Sequence, residues 1–209
     1  MDLGAGVAIL IDGEFAKKVI QKTYRKFPEA GDFAALGVSI MSHPDLRNRD
    51  LYRIFYYSAD PIRGGSMKNP LDGTVINFGT TRQSTDNLKL LDDLEHEPNF
   101  AVRRGELVKR GWKLTSQASR RLERGRQTGI SAADLVPNIQ QKGVDMRIGL
   151  DCAALALKRQ VHAVVLVTGD SDMVPAMKLA RREGLRVYLH TMGQPIIRHI
   201  KTHADILIG

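Results

Sequence analysis

The sequence predicts an α/β fold on a mainly parallel sheet, and three stretches carry that prediction. Residues 161–175 read VHAVVLVTGDSDMVP: an unbroken apolar and β-branched run from Ala163 to Thr168, a glycine, two carboxylates at Asp170 and Asp172, then a helical pattern. Val7 to Ile11 is a second apolar run, closed by Asp12 and Gly13 and again followed by a helix. Leu51 to Ser58, LYRIFYYS, is a third, aromatic and β-branched as strands tend to be. Runs without polar alternation suit strands covered on both faces, as parallel strands are.

In chain order, strand 7–11 leads into a helix from Glu14 to about Arg25, with Phe15, Val19 and Tyr24 inward and Lys17, Lys18, Lys22 and Arg25 outward. From Pro28 to Asp50 the pattern weakens, with Asp32 a cap for a short helix through Ile40 and HPDLRNRD a polar loop. After strand 51–58, residues 59–81 are rich in Gly, Pro, Asn and Ser and read as a long loop. A helix follows from Thr85 to about Leu94, with Asp92, Asp93, Glu95 and Glu97 solvated at its end. Phe100 to Val108 alternates as a strand, extended by Trp112 and Leu114 after a turn. Leu135 to Gln140 reads as a short strand or an extended lead-in. A strong helix from about Val144 to Lys158 places Ile148, Cys152, Leu155 and Ala156 on one face. After strand 163–168, a helix runs from Val174 to Gly184, followed by strand Leu185–His190, a short helix from Pro195 and a small terminal strand, Ala204–Ile208. There is no internal repeat, and residues 1–209 read as a single domain.

A chain of 209 residues with 43% hydrophobic content can bury a substantial core. No stretch approaches the roughly 18 apolar residues of a membrane helix, and residues 1–12 carry no basic start or cleavage pattern. Cys152 is the single cysteine, which excludes an internal disulfide and a cysteine-based zinc site and suits a reducing cytoplasm. A net charge of +8 favours a polyanionic partner, nucleic acid before membrane. Between Val102 and Ile130 that charge concentrates in Arg103, Arg104, Lys109, Arg110, Lys113, Arg120, Arg121, Arg124 and Arg126, opposed by Glu106 and Glu123 alone. Such a run is either a solvated face or a surface that contacts phosphates.

The chemistry sits where strands end. Asp12, Asp145 and the pair Asp170/Asp172 each fall at a strand–helix junction, and the junctions of a parallel sheet share one edge, where open α/β sheets bind ligands. Each has a structural alternative: Asp12 as an N-cap two residues early, Asp172 or Ser171 as the cap before Pro175, Asp170 as a turn residue bonding its own backbone. Asp145 lies in a helix's first turn, favoured there by the helix dipole. Asp151 lies about 120° round the same helix and cannot easily serve the same site, at about 100° per residue. Carboxylates crowded at one edge repel one another, and a divalent cation neutralises them. Oxygen-only ligands select Mg²⁺ or Mn²⁺ over zinc. A hard ion so held can activate water and stabilise charge on a phosphodiester.

ILIDG at 9–13, KGVDMRIGLD at 142–151 and VLVTGDSDMVP at 165–175 resemble the signature blocks of NYN domains in the PIN-like nuclease superfamily, nearest the LabA-like branch, whose ending HADILI at 203–208 is also similar. The resemblance covers nearly the whole chain in order, with about 59–99 and 109–134 poorly matched. It implies a doubly wound sheet with helices on both faces and a metal-dependent endoribonuclease that cleaves single-stranded RNA. Asp12, Asp145, Asp170 and Asp172 then become catalytic carboxylates that hold Mg²⁺ or Mn²⁺, with Thr168 and Ser171 as the small hydroxyls beside them. Phe15 departs from the pattern, standing where many members have an Asn that can hydrogen-bond, and Met173 replaces a common Phe.

Three other functions compete. A non-catalytic nucleic-acid-binding or regulatory module would keep the same fold. Phosphoryl transfer on a small phosphoester lacks a Gly-rich phosphate loop and the second Asp after Asp12. A histidine metal site at His199 and His203 lacks the Glu of HExxH. The partner expected is single-stranded RNA, through Arg103, Arg104, Lys109, Arg110, Arg120, Arg121, Arg124 and Arg126. No membrane partner is expected, and self-association is left open.

Overall fold

Side chains alternate between the two faces of the central strands, both faces are buried, and that arrangement builds the molecule. The chain runs β1 (Val7–Asp12), α1 (Gly13–Tyr24), α2 (Ala30–Met41), β2 (Leu51–Ala59), β3 (Ser66–Lys68), β4 (Val75–Asn77), α3 (Arg82–His96), β5 (Phe100–Leu114), α4 (Ser116–Glu123), β6 (Leu135–Lys142), α5 (Val144–Leu157), β7 (Ala163–Val167), α6 (Val174–Arg182), β8 (Arg186–His190), α7 (Arg198–Lys201) and β9 (Ile206–Ile208). Three 3₁₀ turns, Phe78–Thr80, Ala132–Asp134 and Ser171–Met173, join them. The computed structural model describes residues 6–126 and 128–209; residues 1–5, part of the stretch read for a leader, and Gln127 lie outside the described residues.

Seven strands form one sheet of order β6-β5-β2-β1-β7-β8-β9. All neighbours are parallel except β5 and β6. Ala8 and Leu10 of β1, Phe55 and Tyr57 of β2 and Val164 and Leu166 of β7 point to one face, under α5 and α6. Val7, Ile9 and Ile11, with Tyr56, Val165 and Val167, point to the other, under α1, α2 and α3. Period-2 side chains packed on both faces make a doubly wound α/β sheet. Among the described residues, no helix is long and apolar enough to cross a membrane.

The pairing of β2 with β5 stops at Ala59 and Gly105, but β5 continues to Leu114 with β6 as its partner. At about 3.4 Å per residue, this two-stranded arm reaches roughly 30 Å past the carboxyl-terminal edge of the sheet. A bulge at Gly111, φ +81°, shifts its register. Strand β6 then returns to the edge, Lys142 opposite Glu106, and α5 begins there. Gly105 permits that start: a Cβ on it would lie 2.7 Å from Val144 Cγ2 and 2.9 Å from the Lys142 carbonyl oxygen. So the junction before Asp145 is antiparallel, not parallel as the junction count assumes, and the arm still delivers Asp145 to the same edge.

Other departures are local. The 59–81 loop contains the hairpin β3–β4. Glu29, not Asp32, precedes α2, and Asp32 closes the capping box from inside the first turn. Thr81 starts α3 earlier than the pattern suggests, accepting from the Ser84 N–H. In the basic run, Thr115 caps an unforeseen helix, α4. Lys17 is buried rather than outward, drawn in by Asn87 and Glu14, while Tyr24 is exposed at the end of α1.

Candidate active site

Asp12 ends β1 and turns the chain into α1. Its Oδ1 accepts the N–H groups of Glu14 and Phe15, both at 3.1 Å, so the residue is the N-cap. Among the described residues its Oδ2 accepts only the Thr168 hydroxyl, at 3.3 Å. Thr168 is buried at the end of β7, and its oxygen also accepts the N–H of Asp170 at 3.1 Å. One hydroxyl therefore ties the end of β1 to the acidic turn after β7. Asp170 Oδ1 accepts the Asp172 N–H at 2.9 Å, the turn-stabilising alternative named above. Asp172 is exposed, with its carboxylate making no hydrogen bond among the described residues, and the same holds for the Ser171 hydroxyl. Asp145 is exposed in the first turn of α5.

Electrostatics link the three junctions. Burial pushes the Asp12 carboxyl above its ordinary value, and the charge of Asp145 adds to this against the lowering by its backbone hydrogen bonds. Asp145 is raised by burial and then by Asp170 and Asp172. Among the described residues no Lys, Arg or His forms an ion pair with any of the four. Mutually repelling carboxylates with free oxygens and no protein cation are the donor chemistry of a hard divalent ion. As placed, no three acidic, imidazole or thiol groups among the described residues are grouped closely enough to hold one ion.

Asp151 lies outside this group. Its Oδ2 takes the Tyr57 hydroxyl and Arg103 Nε, both at 2.9 Å, and Arg103 also lies over the Phe55 ring. Two of the basic residues read as phosphate contacts are thus committed elsewhere: Arg103 here, and Arg104 to Asp60, Asp92 and Glu95 at 2.7, 3.2 and 2.9 Å. Arg121 is committed too, to Asp134. Lys109 stands over the Phe78 ring, 5.8 Å from its centroid. Arg110, Arg120, Arg124 and Arg126 are exposed along the arm and α4 and form no ion pair among the described residues.

Two residues escaped the sequence reading. Glu14, two residues beyond Asp12, donates its N–H to Asp12 and accepts from Gln141 at 3.3 Å. Burial works to raise its carboxyl, but Lys17 and Lys18 outweigh that and hold it low. An acid two residues after a strand-ending Asp was the available signal. Tyr56 is buried, its hydroxyl without a partner among the described residues, and burial, then Glu14 and Asp12, push its ionisation well above the ordinary range. Nothing in LYRIFYYS distinguishes it from Tyr57. Phe15 packs on Gly169, where a Cβ would lie 2.8 Å from the ring.

The NYN domain profile matches residues 72–205, well over half of the chain. The chain belongs to the NYN domain family. The match takes in Asp145, Thr168, Asp170, Ser171, Asp172 and the basic arm, whereas Asp12 lies ahead of it. An uncharacterized protein of Sinorhizobium fredii, y4oD, is 44% identical over 50 residues, 24% of this chain and 23% of that protein. The chain thus spans about a quarter of that relative's length in the match. The crystal structure of a protein of unknown function from Vibrio parahaemolyticus is similar over 100% of this chain and 94% of its own, with TM-score 0.53 and 15% identity. That likeness shows the shared α/β fold. NYN membership places the chain on a PIN-like nuclease fold.

Proposed function

We propose that this NYN domain is a metal-dependent endoribonuclease acting on single-stranded RNA in the cytoplasm. The observation that carries the proposal is the pairing of four carboxylates lacking any protein counter-cation with a basic arm rising from the same edge of the sheet. Asp12, Asp145, Asp170 and Asp172 would hold Mg²⁺ or Mn²⁺, which when bound supplies a nucleophilic water and offsets charge on the phosphodiester. The α1 N–H groups fix Asp12 through Oδ1 and leave Oδ2 toward the site. Thr168 keeps the acidic turn in register with Asp12. Lys109, Arg110, Arg120, Arg124 and Arg126 hold phosphates on either side of the bond to be cut.

Purified protein with Mg²⁺ or Mn²⁺ cleaves single-stranded RNA internally, and EDTA stops it. Asp12→Asn and Asp170→Asn each remove nearly all activity, and the double variant is scarcely worse, because residues that act as one unit are not additive. Activity that survives both EDTA and Asp170→Asn refutes the proposal. A non-catalytic RNA-binding module is the second reading, favoured by Phe15, whose ring fills the space against Gly169 and offers no hydrogen bond to water or ribose. RNA binding with metal-dependent stabilisation but no cleavage decides for it.

A further inference from the structure

Beside the carboxylates, the same edge opens into a cleft of about 360 Å³. Small-molecule sites span about 300–1,000 Å³, so the volume admits a single planar ring system with its sugar. Glu14 lines the cleft, and its N–H is bonded to Asp12. Ser58 and Ala59, also in the lining, directly follow Tyr57, the register partner of Asp12. The cleft therefore begins one strand spacing, about 4.8 Å, from the site.

The lining selects the ligand. Lys17 is satisfied by Asn87 at 2.7 Å and Glu14 at 3.2 Å, and Glu14 also takes Lys18 at 3.5 Å. The cleft thus presents no buried unpaired cation, which disfavours phosphate. Apolar surface from Ile62 and Ile139 stands beside amide side chains, with Phe78 nearly buried in the wall and Lys109 over its ring. Asn87 accepts from Lys17 and donates one N–H to the Gln83 carbonyl. The Gln83 side-chain amide makes no hydrogen bond among the described residues, and Gln141 uses only one N–H, toward Glu14. An apolar wall beside two amides with spare donors and acceptors is the chemistry that receives a nucleobase, whose faces are apolar and whose edge takes hydrogen bonds.

We propose that this cleft takes one unpaired base of the RNA strand, the base beside the phosphate at the carboxylates, with Ile62 and Ile139 against it and Gln83 and Gln141 reading its edge. The assignment rests on the ribonuclease reading and turns that enzyme from indifferent to selective at one position. Much of the wall comes from residues 59–99, the stretch least like the NYN signature blocks.

The test is binding of short labelled oligoribonucleotides in EDTA, with one abasic nucleotide moved along the strand. One position should weaken binding by about 5- to 150-fold when its base is removed, the range that loss of two hydrogen bonds gives. The paired substitution Gln83→Ala with Gln141→Ala should erase that penalty while melts confirm folding. A penalty spread evenly along the strand, or one that persists in the paired variant, overturns the cleft assignment. Cleavage with Mn²⁺ is scored separately: a base-dependent position without cleavage upholds the cleft and sinks the ribonuclease, and cleavage without such a position does the reverse. Failure to bind any RNA sinks both.

Discussion

Replacing Arg120, Arg124 and Arg126 together by Ala should flatten the salt dependence of RNA binding by a calculable amount. The structure chooses these three: all are exposed on α4 and the turn after it, and none is paired with an acid among the described residues. Arg121, their neighbour in sequence, is held by Asp134 and is left intact. Each phosphate contact on a single strand contributes about 0.7 to the slope of log affinity against log salt, so three contacts contribute about 2. Between 50 and 200 mM salt, the wild type should then lose about 20-fold more affinity than the triple variant. Fluorescence anisotropy in EDTA, over a salt series, reads this without interference from cleavage. Parallel slopes for the two proteins would refute the phosphate-contact argument and leave these arginines as a solvated face.

The acidic edge makes three further predictions. Asp145 has a raised carboxyl pKa, so the folded protein keeps a proton that the unfolded chain releases near 3.8. Stability from this group is therefore whole below 3.8, falls as pH rises through the folded value, and is lost at neutral pH. Asp145→Asn should thus raise the neutral-pH melting temperature in EDTA and shrink the shift produced by Mn²⁺; a lowered melting temperature with the metal shift intact refutes the repulsion argument. Asp12→Ser keeps a capping oxygen and should stay within about 1 kcal/mol of wild-type stability while losing cleavage, whereas a variant as active as wild type would show that Asp12 only caps. Gly105→Ala drives a methyl into Val144 and the Lys142 carbonyl, and should cost about 1–3 kcal/mol by chemical denaturation and lower cleavage with it; unchanged denaturation would mean that α5 is not seated through this contact.

Strands β1, β2 and β7 were legible because each is covered on both faces, which removes polar alternation and leaves an apolar run. The arm was legible only as separate strands at 100–108, 112–114 and 135–140, and their pairing was not, because β5 changes partners midway. Up to Gly105 it is a sheet strand; beyond, it is half of a ribbon whose faces are both partly wet, so its pattern dissolves into charges. Helix α4 was hidden for a related reason: only Ala118 is fully buried, and a helix with so narrow a buried stripe looks like a basic loop. The commitments of Arg103, Arg104 and Arg121 were likewise invisible, since each partner lies 9 to 48 residues away and is chosen by topology.

The structural and chemical readings of Asp12 do not compete, because a carboxylate has two oxygens. Oδ1 is spent on the first turn of α1, which fixes the plane of the group and removes its rotamer freedom. Oδ2 is left toward Thr168 and the acidic turn. Capping is what preorganises the free oxygen, since a ligand held by two backbone N–H groups need not be ordered again when charge arrives. The same holds at Asp170, where one oxygen accepts the Asp172 N–H and shapes the turn. A cap at a strand end is thus weak evidence against a metal role. The stronger discriminator is the absence of an ion pair among the described residues: Asp151, half-buried on the same helix as Asp145, is taken by Arg103 and Tyr57, whereas the charges that act on the exposed Asp145 are those of Asp170 and Asp172.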